Sequence, residues 1–257
     1  MQWRRLADMS HGRLFHVLVE YQGKIYAIGG LGDRNRALSS AECYDPSGGR
    51  WRTLSGRLCC SRMASASVIL GSCRLVLAGG AMHPVRDDGS AYLVDDVVAL
   101  KLPQLTPEHL VSDQRLPRLP SARLSSSMTV LANGSLLVVG GATYGSTGFR
   151  SLDDVLLLKH PGADVTWTKL CPTPFRVHSA LLVAIGTDAY AIGGCTDHQE
   201  GAGTHADMLV MRAGCAGHQH EDHELCWEPW GTLPGRLVGL EAVLFRAEDA
   251  RPSDPSA

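Results

Sequence analysis

No stretch of this 257-residue chain is long and apolar enough to span a bilayer, which takes about 18 residues or more. The N-terminus, MQWRRLADMSHGR, carries basic and polar residues but no apolar signal core. No charge of one sign dominates: 24 Lys and Arg face 26 Asp and Glu, for a formal net charge of -2. A nucleic-acid groove or an anionic membrane as partner has nothing to draw on in that balance. The eight cysteines contain no C-x-x-C and include the adjacent pair Cys59–Cys60, which suits reduced thiols rather than a disulfide frame. No nucleophile elbow, phosphate-binding loop or dinucleotide fingerprint occurs, and no helical period separates the apolar runs. These absences predict a cytoplasmic chain without cofactor, bound metal or catalytic apparatus.

What the chain does have is a repeat. "GKIYAIGG", "CRLVLAGG", "GSLLVVGG" and "TDAYAIGG" end in the pairs Gly29-Gly30, Gly79-Gly80, Gly140-Gly141 and Gly193-Gly194. They recur at intervals of roughly 50 to 60 residues, as copies of one supersecondary unit do when their loops differ. An arginine and an apolar run precede each pair: Arg13, Arg62, Arg123 and Arg176. A polar loop and a third apolar segment follow, and then a large apolar residue three positions before a leucine: Trp51/Leu54, Leu116/Leu119, Trp167/Leu170 and Trp230/Leu233. Each copy therefore reads as four short strands, and the near-continuous apolarity of the first two predicts strands covered on both faces. A four-stranded unit repeated about an axis is a propeller blade. The doubled glycine ends the second strand where the backbone turns in a crowded place and positive φ is required. Asn133-Gly134 reads as a hairpin turn.

In these residues the chain resembles the kelch-repeat family, whose pattern is a double glycine, a tyrosine, six residues and a tryptophan, with an arginine ahead of the first strand. Gly29-Gly30, Tyr44 and Trp51, with Arg13 and His16 upstream, match it in full. Leu100, Leu158 and Met211 replace the tyrosine in later copies, and Leu116 replaces one tryptophan. The resemblance implies an all-β, kelch-type β-propeller with four recognisable blades at about 11–54, 62–119, 123–170 and 176–233. Partial-blade strands are expected at 1–6 and 236–245, and a disordered tail at 247–257. An isoform or fragment of a longer propeller is the expected origin of those partial strands.

The same resemblance implies a protein-interaction module, in the manner of the propellers that select substrates for ubiquitin-ligase adaptors, here without room for a BTB domain. An actin-binding or other scaffolding role is the alternative, and an oxidase or sugar-epimerase type of enzyme the less favoured one. The expected partner is a protein segment, not nucleic acid or membrane. Candidate contacts are the repeated arginines Arg13, Arg62, Arg123, Arg176 and Arg236, which otherwise hold their own loops through backbone carbonyls. Loop residues after the glycine pairs join them: Arg34, Asn35, Arg36, His83, Arg86, Tyr144, Ser146 and Asp197. The stretch Cys215, His218, His223, Cys226 offers zinc-type ligands at a spacing that matches no zinc pattern. Asp95-Asp96 and Asp153-Asp154 precede the third strand in two copies and read as turn residues.

Overall fold

The computed structural model describes residues 4–85, 91–102, 111–145, 148–163, 166–196, 203–204, 207–212 and 226–234. Four antiparallel sheets follow one another along it. Blade 1 comprises Val17–Tyr21, Lys24–Ile28, Ser40–Asp45 and Arg50–Arg57, and blade 2 comprises Ala66–Leu70, Arg74–Ala78, Val97–Lys101 and Val111–Leu116. Blade 3 comprises Ser127–Val130, Leu136–Val139, Val155–Leu158 and Thr168–Lys169. Blade 4 comprises Leu181–Ile185, Asp188–Ile192, Asp207–Met211 and Trp227–Thr232. Each sheet is hydrogen-bonded in chain order, first strand to fourth.

The first two strands of each blade form a tight hairpin. In blade 1 the turn is Gln22-Gly23, with φ of 51° and 73°, the paired left-handed geometry that suits the twist of its strands. In blade 3 the Ser135 amide donates to the Asn133 side chain at 3.0 Å while Gly134 takes a φ of 82°.

Alternation along the strands builds the core. Leu75 and Leu77 pack against Val17, Tyr26, Ile28 and Leu54 of blade 1, while their neighbours Val76 and Ala78 point the other way, into a cluster with Met128, Leu136 and Leu156 of blade 3. Blade 3 repeats the pattern: Leu136 and Val138 face blade 2, and Leu137 and Val139 face Leu182, Ala191, Leu209 and Met211 of blade 4. A period of two on strands apolar at every position therefore buries both faces of the two middle blades, as the sequence predicts.

A belt of backbone hydrogen bonds runs around the axis beside the inner strands. The amides of Ala64, Ser125 and Ser179 donate to the carbonyls of Phe15, Ala64 and Ser125, at 2.9, 2.8 and 2.8 Å. All four residues are left-handed, with φ between 52° and 54°. That conformation costs a residue with a side chain about 1–2 kcal/mol, so it persists at one site in every blade because the belt requires it.

The glycine pairs meet this belt. A Cβ on Gly79 (φ +62°) would lie 2.5 Å from the carbonyl oxygen of Arg123 in the next blade, and the Gly80 amide donates to that same oxygen at 2.8 Å. The first glycine of the pair thus makes room for the neighbouring blade, and the second is bonded to it.

Candidate functional site

Connections from fourth strand to next first strand, and from second strand to third, emerge on one face of the disc. The repeated arginines lie in the former, and their side chains turn inward. Arg13 donates to the carbonyls of Gly29 and Ser40, both at 2.9 Å, and to Glu42 Oε1 at 2.8 Å; neither its side chain nor that of Glu42 has exposed surface. Arg62 reaches Gly79 O at 3.4 Å and Asp96 Oδ2 at 2.8 Å. Arg123 reaches Gly140 O at 3.1 Å and Asp154 Oδ2 at 2.8 Å. Each guanidinium is a strut between the carbonyl of the first paired glycine and an acid at the start of the third strand.

The charges support one another. Burial pushes the Glu42 carboxyl up, but the Arg13 hydrogen bonds and the Ser10 amide outweigh it and hold the group below the usual carboxylate range. Asp154 behaves alike: Lys169 and Arg123 overcome its burial. For Arg62, burial acts to lower the guanidinium, and Asp96 more than restores it.

Blade 4 shifts this register. The carbonyl that receives the second-glycine amide belongs to Arg62 and Arg123 at the first two junctions but to Val177 at the third, where Gly141 N donates to Val177 O at 2.9 Å. Val177, 2% exposed, therefore stands in the arginine column, and Arg176 lies one residue outside it. The tryptophan column moves as well. Trp51 stands opposite Tyr44, and in the same register Trp227 stands opposite Met211 and Ser112 opposite Leu100. Trp227 is buried in the blade 3–4 core, whereas Trp230 is 51% exposed and meets Tyr190 edge-on with ring centroids 4.8 Å apart. Leu116 and Trp230 are thus not the equivalents of Trp51; Ser112 and Trp227 are.

The connections after the glycine pairs, expected as polar loops, form two-stranded hairpins: Leu31–Gly32 with Arg36–Ala37, Ala81–Val85 with Ala91–Leu93, Ala142–Gly145 with Gly148–Ser151, and Cys195–Thr196 with Gly203–Thr204. Arg34, Asn35 and Arg36 are exposed on the first, where Arg34 and Asn35 take φ of 58° and 54°. On the third, Tyr144 packs edge-on against Phe149, whose ring in turn meets His178; Ser151 Oγ lies 2.9 Å from His178 Nδ1 and anchors that imidazole. Tyr92, Tyr144, Leu14 and Phe15 add exposed apolar surface to the same face. The inner strands line an open axial pocket of about 310 Å³, with Ser65, Ser67, Ser126 and Ser127 among apolar residues such as Leu18 and Met128.

Comparison with known proteins matches this geometry. The Kelch motif model fits residues 12–56. Beta-scruin of Limulus polyphemus is 28% identical over 255 residues, covering 94% of this chain and 24% of the relative. Kelch-like protein 35 of Mus musculus is 27% identical over 199 residues, covering 77% and 30%. The chain carries a Kelch motif and resembles kelch-repeat proteins along most of its length. The solved structure of YjhT superposes on this kelch propeller with a TM-score of 0.70 at 14% identity, covering 92% of this chain and 76% of that one, a likeness of fold alone. The chain spans about a quarter of the length of the curated relatives it matches.

On the kelch frame the candidate residues separate. Arg13, Arg62 and Arg123 are consumed by the blades, being 7%, 2% and 0% exposed, so the structure assigns them architecture where the sequence suggests partner contact. Arg176 is half-buried beside the column. Arg34, Asn35, Arg36 and Tyr144 share the open loop face. The backbone of His83 lies on the second hairpin, and Arg86, Ser146, Asp197 and Arg236 fall outside the described residues, as do Cys215, His218 and His223. Sequence reading missed Glu42, Asp96 and Asp154 as strut acids and Arg150, exposed on the third hairpin. The signal for two of the acids was there: Asp96 and Asp154 hold the same place in two blades.

Proposed function

We propose that this kelch propeller is a protein-interaction module whose loop face receives a segment of another protein, as the substrate-recognition part of a ubiquitin-ligase adaptor. The observation that carries the reading is the division of labour among arginines. Three are locked inside the blades, while Arg34, Arg36 and Arg150 project from hairpins seated on that rigid base. Exposed guanidinium groups beside Tyr92, Tyr144, Leu14 and Phe15 suit an acidic segment with apolar anchors, since arginine pairs carboxylates in bidentate fashion and aromatic side chains supply contact area. The adaptor reading is supported by similarity to Kelch-like proteins 35 and 34, each matched over about three quarters of the chain, and to an F-box/kelch-repeat protein of Arabidopsis thaliana over a short stretch.

The test is affinity capture from cell lysate with quantitative mass spectrometry, using the wild-type chain, the triple variant R34E/R36E/R150E, and Thr187→Glu on the opposite face. One dominant protein, retained by Thr187→Glu and lost by the triple variant, is the expected result. Capture indifferent to the triple variant removes the loop face as the receptor. Charge reversal at Arg62 or Arg123 is no substitute, because it tests folding and not recognition.

A further inference from the structure

The connection from blade 1 to blade 2 carries Leu58-Cys59-Cys60-Ser61-Arg62. In an extended backbone adjacent side chains point to opposite faces. The bend at Cys59 and Cys60 instead turns both thiols the same way, with Sγ atoms 4.0 Å apart. Cys59 is exposed, and Cys60 is half-buried with its Sγ 3.1 Å from Arg62 Nη2. The equivalent position in blade 3, two residues before the strut arginine, is Ser121, whose hydroxyl accepts from Arg123 Nη2 at 2.7 Å. Sulfur is the weaker acceptor, so the strut is served less well by a thiol than by the hydroxyl that blade 3 uses, and a thiol adds reactivity that a hydroxyl lacks.

We propose that Cys59 and Cys60 form a two-thiol oxidation site whose oxidant is a hydroperoxide and whose product is a reversible disulfide between adjacent residues. The Cys59 thiolate attacks the peroxide oxygen; the O–O bond breaks, hydroxide or alkoxide leaves, and Cys59 becomes a sulfenic acid. The Cys60 sulfur then attacks the Cys59 sulfur, the S–O bond breaks, and the hydroxyl departs with the Cys60 proton as water. The pair is oxidised by two electrons, and the hydroperoxide is reduced to alcohol or water. Order follows from place: Cys59 meets solvent, while burial pushes the Cys60 thiol up and keeps it protonated until its neighbour is oxidised. Adjacent Cα atoms lie about 3.8 Å apart, below the usual span of a disulfide, so the product is strained and readily returned by thiols. Closing the bond withdraws a sulfur from Arg62, whose remaining partners are Asp96 and the more distant Gly79 carbonyl.

The experiment treats the reduced full chain with dilute hydrogen peroxide, followed by tryptic mass spectrometry of the peptide Leu58–Arg62. The expected wild-type result is loss of the mass of two hydrogens from that peptide in monomeric protein, reversed by dithiothreitol. Cys60→Ser installs the hydroxyl that blade 3 already uses, so it retains the strut, and its Cys59 is expected to be trapped by dimedone as the sulfenic acid. In Cys59→Ser, Cys60 is expected to remain alkylatable after the same treatment. The proposal is overturned if the wild-type peptide keeps both thiols while Cys171 or Cys195 is oxidised. It is equally overturned if the product is an intermolecular disulfide, or if Cys60 oxidises as fast in Cys59→Ser as in wild type.

Discussion

Replacing Arg13 by methionine tests whether the inward arginines are structural. The guanidinium donates to Gly29 O, Ser40 O, Ser40 Oγ and Glu42 Oε1, and both members of the ion pair are fully enclosed. Removing one partner of a buried pair costs about 3–5 kcal/mol, because the other charge is left without compensation. Glu42 retains the Ser10 amide at 2.7 Å and the His11 amide at 3.3 Å, which puts the loss at the lower end, about 3 kcal/mol. With a urea slope of about 3 kcal/mol per molar for a chain of this size, the unfolding midpoint falls by about 1 M. Trp51, packed against Tyr44 in the same blade, supplies the fluorescence signal. The double variant R13M/E42L removes both charges together and is expected to lose much less than the sum of the two single losses, with coupling of about 2 kcal/mol or more. A midpoint for Arg13→Met within error of wild type, or strict additivity in the cycle, refutes the strut; either means that the guanidinium is solvated and available to a partner.

Acid should weaken the fold by the same chemistry. Glu42 and Asp154 are depressed in the folded state, so the unfolded chain binds more protons. Their stabilisation is complete above the ordinary carboxylate value of about 4 and is lost as pH falls through the lower folded values. Urea midpoints between pH 7 and pH 3 check this, and a curve rising toward acid contradicts it. Gly79→Ala meets the Arg123 carbonyl and is expected to cost several times more than Gly71→Ala, which has a similar φ of 62° but open space around it, where about 1 kcal/mol is expected; thermal melts compare the two. Trp227→Ala empties the blade 3–4 core at about 3–5 kcal/mol. Trp230→Ala loses an exposed edge-on ring contact worth about 1 kcal/mol, and near-equal losses would contradict a last strand that turns Trp227 inward and Trp230 outward.

The doubled glycines were legible because their requirement is local: a backbone that meets its neighbour's carbonyl excludes every side chain, and four copies repeat the demand. The arginine column was legible as a repeat but not as architecture, since a buried arginine is defined by its acid. Glu42, Asp96 and Asp154 lie about thirty residues from their partners and are joined to them only when the third strand pairs with the second. Arg176 and Trp230 were misaligned because loop length varies between copies while the hydrogen-bond register does not. Val177 and Trp227 are recognised by which carbonyl receives the glycine amide and which residue faces Met211. The two-stranded hairpins were hidden in segments of two to five residues, too short for alternation to declare itself.

Arg62 and Arg123 each serve two blades at once. The Arg123 side chain braces blade 3 through Gly140 O and Asp154, while its main-chain carbonyl accepts the Gly80 amide of blade 2. The belt beside it continues through Ser125, which donates to Ala64 in blade 2 and accepts from Ser179 in blade 4. In a repeat architecture, stability is carried by units and by the interfaces between nearest neighbours. Arg123→Met should therefore raise hydrogen exchange first at the Gly80 and Gly140 amides and then across the strands of blades 2 and 3. The Tyr26 amide in blade 1, one interface further away, should hold its wild-type protection. Exchange that rises equally in all four blades would mean the propeller opens as one cooperative unit. The strut would then contribute to global stability without setting the junction between its two blades.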